Sequence, residues 1–238
     1  MSSWTPPPDD SPRRLADLRV SYDAGILEET QLAATPLAQF HAWFDEAAAV
    51  GLPEPNAMIL ATASVDGVPS ARTVLLKDAD ERGFVFYTNL GSRKSRELAD
   101  NPVASLVFPW FSMHRQVVVV GRAEQVPRAE AAEYFASRPH GSRLGAWTSR
   151  QSSVIEGRTG LEARYAELQS EFPDGSEVPL PDFWGGWLVR PQSVEFWQGR
   201  TSRLHDRLRF TLTADVRAAA GWAPLDDPSA WVVERLSP

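Results

Sequence analysis

The chain has no cysteine. That excludes a disulfide framework, a thiolate metal site and a cysteine nucleophile, and it fits a cytoplasmic protein. Histidine is scarce: His41, His114, His140 and His205 stand far apart, without HExxH-type spacing, so no metal site is expected. No apolar run approaches the roughly 20 residues that a membrane-spanning helix needs. The N-terminal MSSWTPPPDDSPRR lacks the basic start and apolar stretch of a secretory signal. Basic residues are the minority, 24 Lys and Arg against 31 Asp and Glu, for a formal net charge of −7. That balance disfavours general nucleic-acid binding, which needs a basic face. The expectation is a cytoplasmic protein with no metal, no membrane and no nucleic-acid partner.

What is present is ordinary for a globular fold: 238 residues, 43% hydrophobic and 23% charged, enough to bury a core. Residues 1–14 are proline-rich and polar and read as part of a mobile tail over 1–17, with 18–238 as one domain. TPLAQFHAWFDEAAAV predicts an amphipathic helix capped by Thr35, with Pro36 at its first position. NAMILATAS and ARTVLLK flank Asp66-Gly67 and predict a hairpin. GFVFYT, VASLVFP and QVVVVGRAE add three more strands. Ser92 predicts the cap of a two-turn helix ending before Asn101-Pro102, and residues 128–138 and 158–172 read as helices. Trp184–Phe196, residues 203–210 and WVVERLSP read as strands, with 213–230 as a surface excursion. The class is α+β, mainly antiparallel, built as a barrel or sandwich.

Several basic clusters stand out in this acidic chain. In LGSRK a Gly-Ser turn opens a helix before Arg93 and Lys94, an arrangement suited to a phosphate, although solvated cations at a helix start would look the same. Arg72 and Lys77 bracket TVLL with opposite parity, so a regular strand would point them to opposite faces. Tyr134 and Arg138 lie four apart on a helix face, followed by Ser142. Gln151 and Ser152 in WTSRQSS offer neutral donors and acceptors for a heterocycle edge. If 203–208 is a strand, Arg203, His205 and Arg207 share one face and repel each other unless an anion sits among them.

In order, ARTVLLK, FYTNLGSRKSREL, FPW, RQVVVVGRAE, YFASRPHGSRLGAW, RQSS, PLPDFWGGWLV, EFWQGR and RLHDR run along most of the chain. Together they closely resemble the pyridoxamine/pyridoxine 5′-phosphate oxidases. The resemblance implies an FMN-binding split β-barrel of Greek-key type with peripheral helices, working as a homodimer with FMN at the subunit interface. The implied reaction oxidises pyridoxamine or pyridoxine 5′-phosphate to pyridoxal 5′-phosphate, with O2 regenerating the flavin. Implied flavin contacts are Arg72, Thr73, Val74, Leu75, Leu76 and Lys77 in RTVLLK, Tyr87 and Thr88 in FYT, and Arg93 and Lys94 in SRK. Gln116 in RQV, Gln151 and Ser152 in RQSS, Trp197 in FWQG and Arg207 in HDR complete that set. Implied substrate contacts are Lys77, Tyr134, Arg138, Ser142, Arg203 and His205. Arg19 and Tyr22 in LRVSY match positions that in some members fold over the substrate. Arg203 and His205 carry the catalytic assignment, above the pyridine face. Two alternatives share the fold: a phenazine-biosynthesis-type FMN oxidase, and a non-catalytic flavin or pyridoxal-phosphate carrier.

Overall fold

The computed structural model describes Leu15, Leu18, Ser21, Tyr22 and residues 25–238, so most of the expected tail lies outside the described residues. Helix α1, Pro36–Ala49, starts as its sequence predicts: the Thr35 hydroxyl accepts from the Ala38 amide at 3.2 Å, and Pro36 takes the first turn. It buries Phe40, Trp43 and Ala47. The Phe40 ring sits edge-on to Phe84 and Phe108, with centroids 4.9 and 5.0 Å away.

Strands β1, Ala57–Ala63, and β2, Pro69–Leu75, form the expected hairpin, turned at Gly67 with φ +78°. A short β3, Asp78–Asp80, leads into β4, Gly83–Asn89; β3 is too short and charged to show as a strand in the sequence. Then come α2, Arg93–Asp100, capped by Ser92, and the strands β5, Val103–Trp110, and β6, Arg115–Gln125. Helices α3, Arg128–Ser137, α4, His140–Thr148, and α5, Arg158–Glu171, follow. Of these α4 was not expected. Its sequence HGSRLGAWT carries two glycines and a serine, poor helix formers, and packing of Leu144 into a small apolar core overrides that propensity.

The chain closes with β7, Trp184–Gln198, β8, Asp206–Leu212, α6, Ala214–Ala219, and β9, Trp231–Arg235. All strand pairs are antiparallel, and the main path runs β2-β1-β5-β6-β7-β4-β3. Strand β7 is 15 residues long and forks the sheet. Its first half pairs with β4, its second half with β8, and its other edge with β6 from Trp187 to Gln198. The sheet curls into a half-barrel around a core that includes Phe40, Phe84, Phe108, Val119, Phe196 and Phe210. The register shifts between Val120 and Gly121, where a Cβ on Gly121 would stand 2.1 Å from the Arg190 carbonyl oxygen.

Segment 213–230 corrects one expectation, because it is not a mere surface excursion. Leu225 is fully buried, its amide donates to Glu81 O at 2.8 Å, and its carbonyl accepts from the Leu37 amide at 3.2 Å. Ala223 and Ala230 are buried beside it. Isolated apolar residues among polar ones carry no periodicity, so their burial is decided by tertiary contact alone. Among the described residues no helix is long and apolar enough to cross a membrane.

Candidate functional site

A cavity of about 990 Å³ opens between β2, the end of β4, the start of α2, helices α3 and α4, and the 149–152 segment. Lys94 is its most telling residue. Burial, and after it the charge of Arg72, lowers the Lys94 pKa to about 8. Among the described residues the ammonium has only neutral acceptors: Gln151 Oε1 at 2.8 Å, Thr88 Oγ1 at 3.1 Å and Ser92 Oγ at 3.4 Å. Ser152 lies alongside and its hydroxyl accepts from the Arg93 amide at 3.1 Å.

Behind these cations sits Glu97, 7% exposed, which the sequence motifs did not single out. Burial alone would raise its pKa, but hydrogen bonds from Ser70, Thr62 and Arg93 outweigh that and hold it at about 2. Arg93 Nε donates to one carboxylate oxygen at 2.7 Å, and Ser70 Oγ donates to the other at 2.5 Å. Arg72 reaches the same oxygen at 3.5 Å and also donates to Thr62 Oγ1 at 2.6 Å.

Aromatic rings and a second set of cations line the other side of the cavity. Tyr87 and Tyr134 stack with centroids 4.1 Å apart, and Tyr87 is parallel to Trp184 at 5.5 Å. The Arg138 guanidinium lies 5.0 Å from the Trp184 ring, and Lys77 Nζ lies 5.9 Å from that of Tyr134. Arg138 Nη1 is buried without a hydrogen-bond partner among the described residues, and desolvation lowers the Arg138 pKa. Ser142, at the start of α4, joins the same wall.

A second cavity, of about 810 Å³, has walls that include Tyr22, Trp197, Arg203 and His205. The His205 ring lies 4.6 Å from Trp197 and 5.7 Å from Tyr22, centroid to centroid. His205 Nδ1 accepts from the Arg200 amide at 3.1 Å, which in the neutral ring puts the proton on Nε2. Asp206 anchors this corner. Burial would raise its pKa, but hydrogen bonds from the Leu27 amide, Arg200 and Arg235 leave it lowered. Gly199 is held to glycine by contact: a Cβ there would meet His114 Cβ and Tyr22 Cγ at 3.0 Å.

A family model for pyridoxamine 5′-phosphate oxidase matches residues 44–171. A second model, for the pyridoxine 5′-phosphate oxidase C-terminal dimerisation region, matches residues 184–238. A pyridoxine/pyridoxamine 5′-phosphate oxidase of Frankia alni is 53% identical over 251 residues, covering 98% of each chain. That of Kineococcus radiotolerans is 55% identical over 226 residues, covering 94% of this chain and 98% of its own. The chain belongs to the pyridoxamine 5′-phosphate oxidase family. Among solved structures, PhzG from Burkholderia lata, in complex with tetrahydrophenazine-1-carboxylic acid, superposes with a TM-score of 0.80 at 28% identity. That match covers 92% of this chain and all of PhzG.

The residues that the family resemblance singles out separate into distinct places. Arg72, Thr73, Val74, Leu75, Lys77, Tyr87, Thr88, Arg93, Lys94, Gln151 and Ser152 line the large cavity, with Tyr134, Arg138 and Ser142. Leu76 does not; it is buried in the core, and its amide donates to Asn56 O. The opposite parity expected of Arg72 and Lys77 does not separate them, because β2 ends at Leu75 and irregular backbone at Leu76 and Lys77 breaks the strand alternation. Gln116, Trp197 and Arg207 lie outside that cavity in one cross-strand row, Gln116 opposite Trp197 and Trp197 opposite Arg207. The common strand face expected for Arg203, His205 and Arg207 is overturned. Ser202 and Arg203 take φ of 57° and 63°, and β8 starts only at Asp206. Arg203 and His205 still share a cavity, while Arg207 pairs with Glu195 at 2.7 Å. Arg19 lies outside the described residues.

Proposed function

We propose that this protein oxidises pyridoxamine 5′-phosphate and pyridoxine 5′-phosphate to pyridoxal 5′-phosphate, with FMN as cofactor and O2 as the final electron acceptor. The observation that carries the reading is Lys94: a buried ammonium flanked by Arg72 and Arg93 but hydrogen-bonded only to neutral acceptors. Such a donor set suits a phosphate dianion. The unpartnered Arg138 Nη1, beside Lys77, Tyr134 and Ser142, suits a second phosphate in the same cavity. Two phosphorylated ligands, cofactor and substrate, meet that demand.

On this reading Lys94, Arg93, Ser152 and Gln151 hold the flavin, and Lys77, Tyr134, Arg138 and Ser142 hold the substrate phosphate. When bound, FMN supplies the two-electron acceptor for hydride from substrate C4′, and its reoxidation by O2 yields hydrogen peroxide. The chain's own work is to bind, orient and exclude water. With Nδ1 accepting from the Arg200 amide, His205 offers its Nε2–H as a donor, and Arg203 adds a positive charge on the same wall. Alcohol oxidation gives the aldehyde directly, whereas the amine gives an imine that water hydrolyses with loss of ammonia.

The protein works as a homodimer on this proposal. The Gln116–Trp197–Arg207 row and the Arg203/His205 corner of one protomer complete the large cavity of its partner. The cysteine-free sequence suits a reducing cytoplasm. A phenazine-type oxidation is the alternative within the fold, and the cation cluster around Arg138, matched to a phosphate, favours the vitamin B6 substrates. The deciding experiment supplies pyridoxine 5′-phosphate to FMN-loaded protein and measures aldehyde and peroxide, expected in equal amounts. Bound FMN without turnover would leave a carrier and overturn the oxidase.

A further inference from the structure

The hydrogen bonds around Glu97 have a fixed direction. Arg72 is only a donor, and its two terminal nitrogens donate to the hydroxyls of Thr62, at 2.6 Å, and Ser70. Each hydroxyl then gives its own proton to Glu97 Oε2. A carboxylate only accepts, so the relay ends there. Oε1 accepts from Arg93 Nε at 2.7 Å, which leaves the two terminal nitrogens of Arg93 uncommitted to Glu97. One buried carboxylate thus fixes an arginine from β2 and another from α2. Without it, Arg72, Arg93 and Lys94 stand as three cations that repel one another. With it, the cluster keeps a surplus positive charge that matches a phosphate of about −1.5 to −2.

We propose that Glu97 is a positioning residue for the cofactor phosphate, holding Arg93 directly and Arg72 through Thr62 and Ser70 at the wall beside Lys94. This rests on reading the large cavity as the FMN site. Lys77, Tyr87, Tyr134 and Arg138 are the other titratable groups on that wall. Loss of the carboxylate leaves Arg72 uncompensated next to Lys94, so Lys94 gives up its proton at lower pH.

The test titrates the full chain, stripped of flavin, with FMN and separately with riboflavin, which lacks the phosphate. Flavin fluorescence is read at about pH 6.5 and about pH 8.5, either side of the Lys94 pKa of about 8. Wild-type protein is expected to prefer FMN; equal affinity would overturn the siting of the phosphate, and Glu97's role with it. Glu97→Gln sets an amide donor against either the two hydroxyls or Arg93 Nε, and so breaks one arm of the arrangement as well as removing the charge. It should weaken FMN by about tenfold or more and riboflavin by less than about twofold. The FMN loss should be larger at the higher pH. Thr62→Val combined with Ser70→Ala cuts the relay with the charge intact and should reproduce much of that selective loss. If wild type prefers FMN, the proposal falls on unchanged or tighter FMN binding by Glu97→Gln, or on an equal loss for both flavins. Should Glu97→Gln fail to fold, the double variant decides, and an unchanged preference for FMN over riboflavin overturns the role.

Discussion

The two cavities differ in what holds their walls. The larger is framed by β2, β4 and three helices, and two of its cations are tied by hydrogen bonds to buried side chains: Lys94 to Thr88, Arg93 to Glu97. The smaller is framed by a loop with two consecutive left-handed residues, Ser202 and Arg203, and by Tyr22 from the N-terminal segment. A ligand that stays bound needs donors set in advance, while one that turns over needs walls that part and close again. The contrast fits the proposal that the first cavity holds both phosphates, the cofactor's and the substrate's, while the second faces the reacting end of the substrate.

Arg203→Ala probes the contrast most severely. We expect kcat/KM to fall by roughly a hundredfold or more, with flavin content unchanged, because a charged contact to the reacting ligand is removed. Loss of flavin instead would exchange the roles of the two cavities. Next is the paired change Arg93→Ala and Lys94→Ala. Each charge-assisted phosphate contact contributes about 1.5–3 kcal/mol, so FMN retention should drop at least tenfold, as measured by flavin titration. Unchanged occupancy at limiting FMN would break the assignment.

A smaller effect follows from protonation. Lys94 binds an anion only when charged, and its pKa is lowered to about 8. FMN affinity should therefore hold below about pH 8 and decline above it, by up to about tenfold per pH unit until the pKa of the complex is reached. A flat profile from about pH 7 to about pH 9 would remove Lys94 from the cradle. The smallest effect is a control outside both cavities. Thr35→Ala removes the α1 cap and should lower stability by about 1 kcal/mol, a melting shift of about 2–4 °C, with flavin binding unaltered.

Much of this architecture was legible in the residues. Thr35 and Ser92 announce their helices, and Asp66-Gly67 announces the first hairpin, because capping and turn chemistry act within a few residues. Lys94 was legible as a cation at a helix start but not as a buried one, since burial depends on Thr88 and Gln151, six and 57 residues away in the chain. Glu97 was not legible at all: in RKSREL it looks like an ordinary partner for Arg93 one turn earlier. Its second task depends on Thr62 and Ser70 from the hairpin. The strand read through 203–210 failed at Ser202 and Arg203, whose left-handed backbone has no glycine or asparagine to signal it. Leu225 failed for the opposite reason, a single apolar residue that tertiary packing alone selects.

Strand β7 also acts as a ruler. Trp184 at its start lines the large cavity, and Trp197, thirteen residues on, lines the small one. Extended chain rises about 3.3 Å per residue, so the two indoles stand roughly 40 Å apart along the strand, and somewhat less where the sheet curls. One small ligand cannot bridge that span within a protomer. The distance separates the two cavities within one chain, which fits the proposal that a second copy, running the other way, brings a first half up against a second.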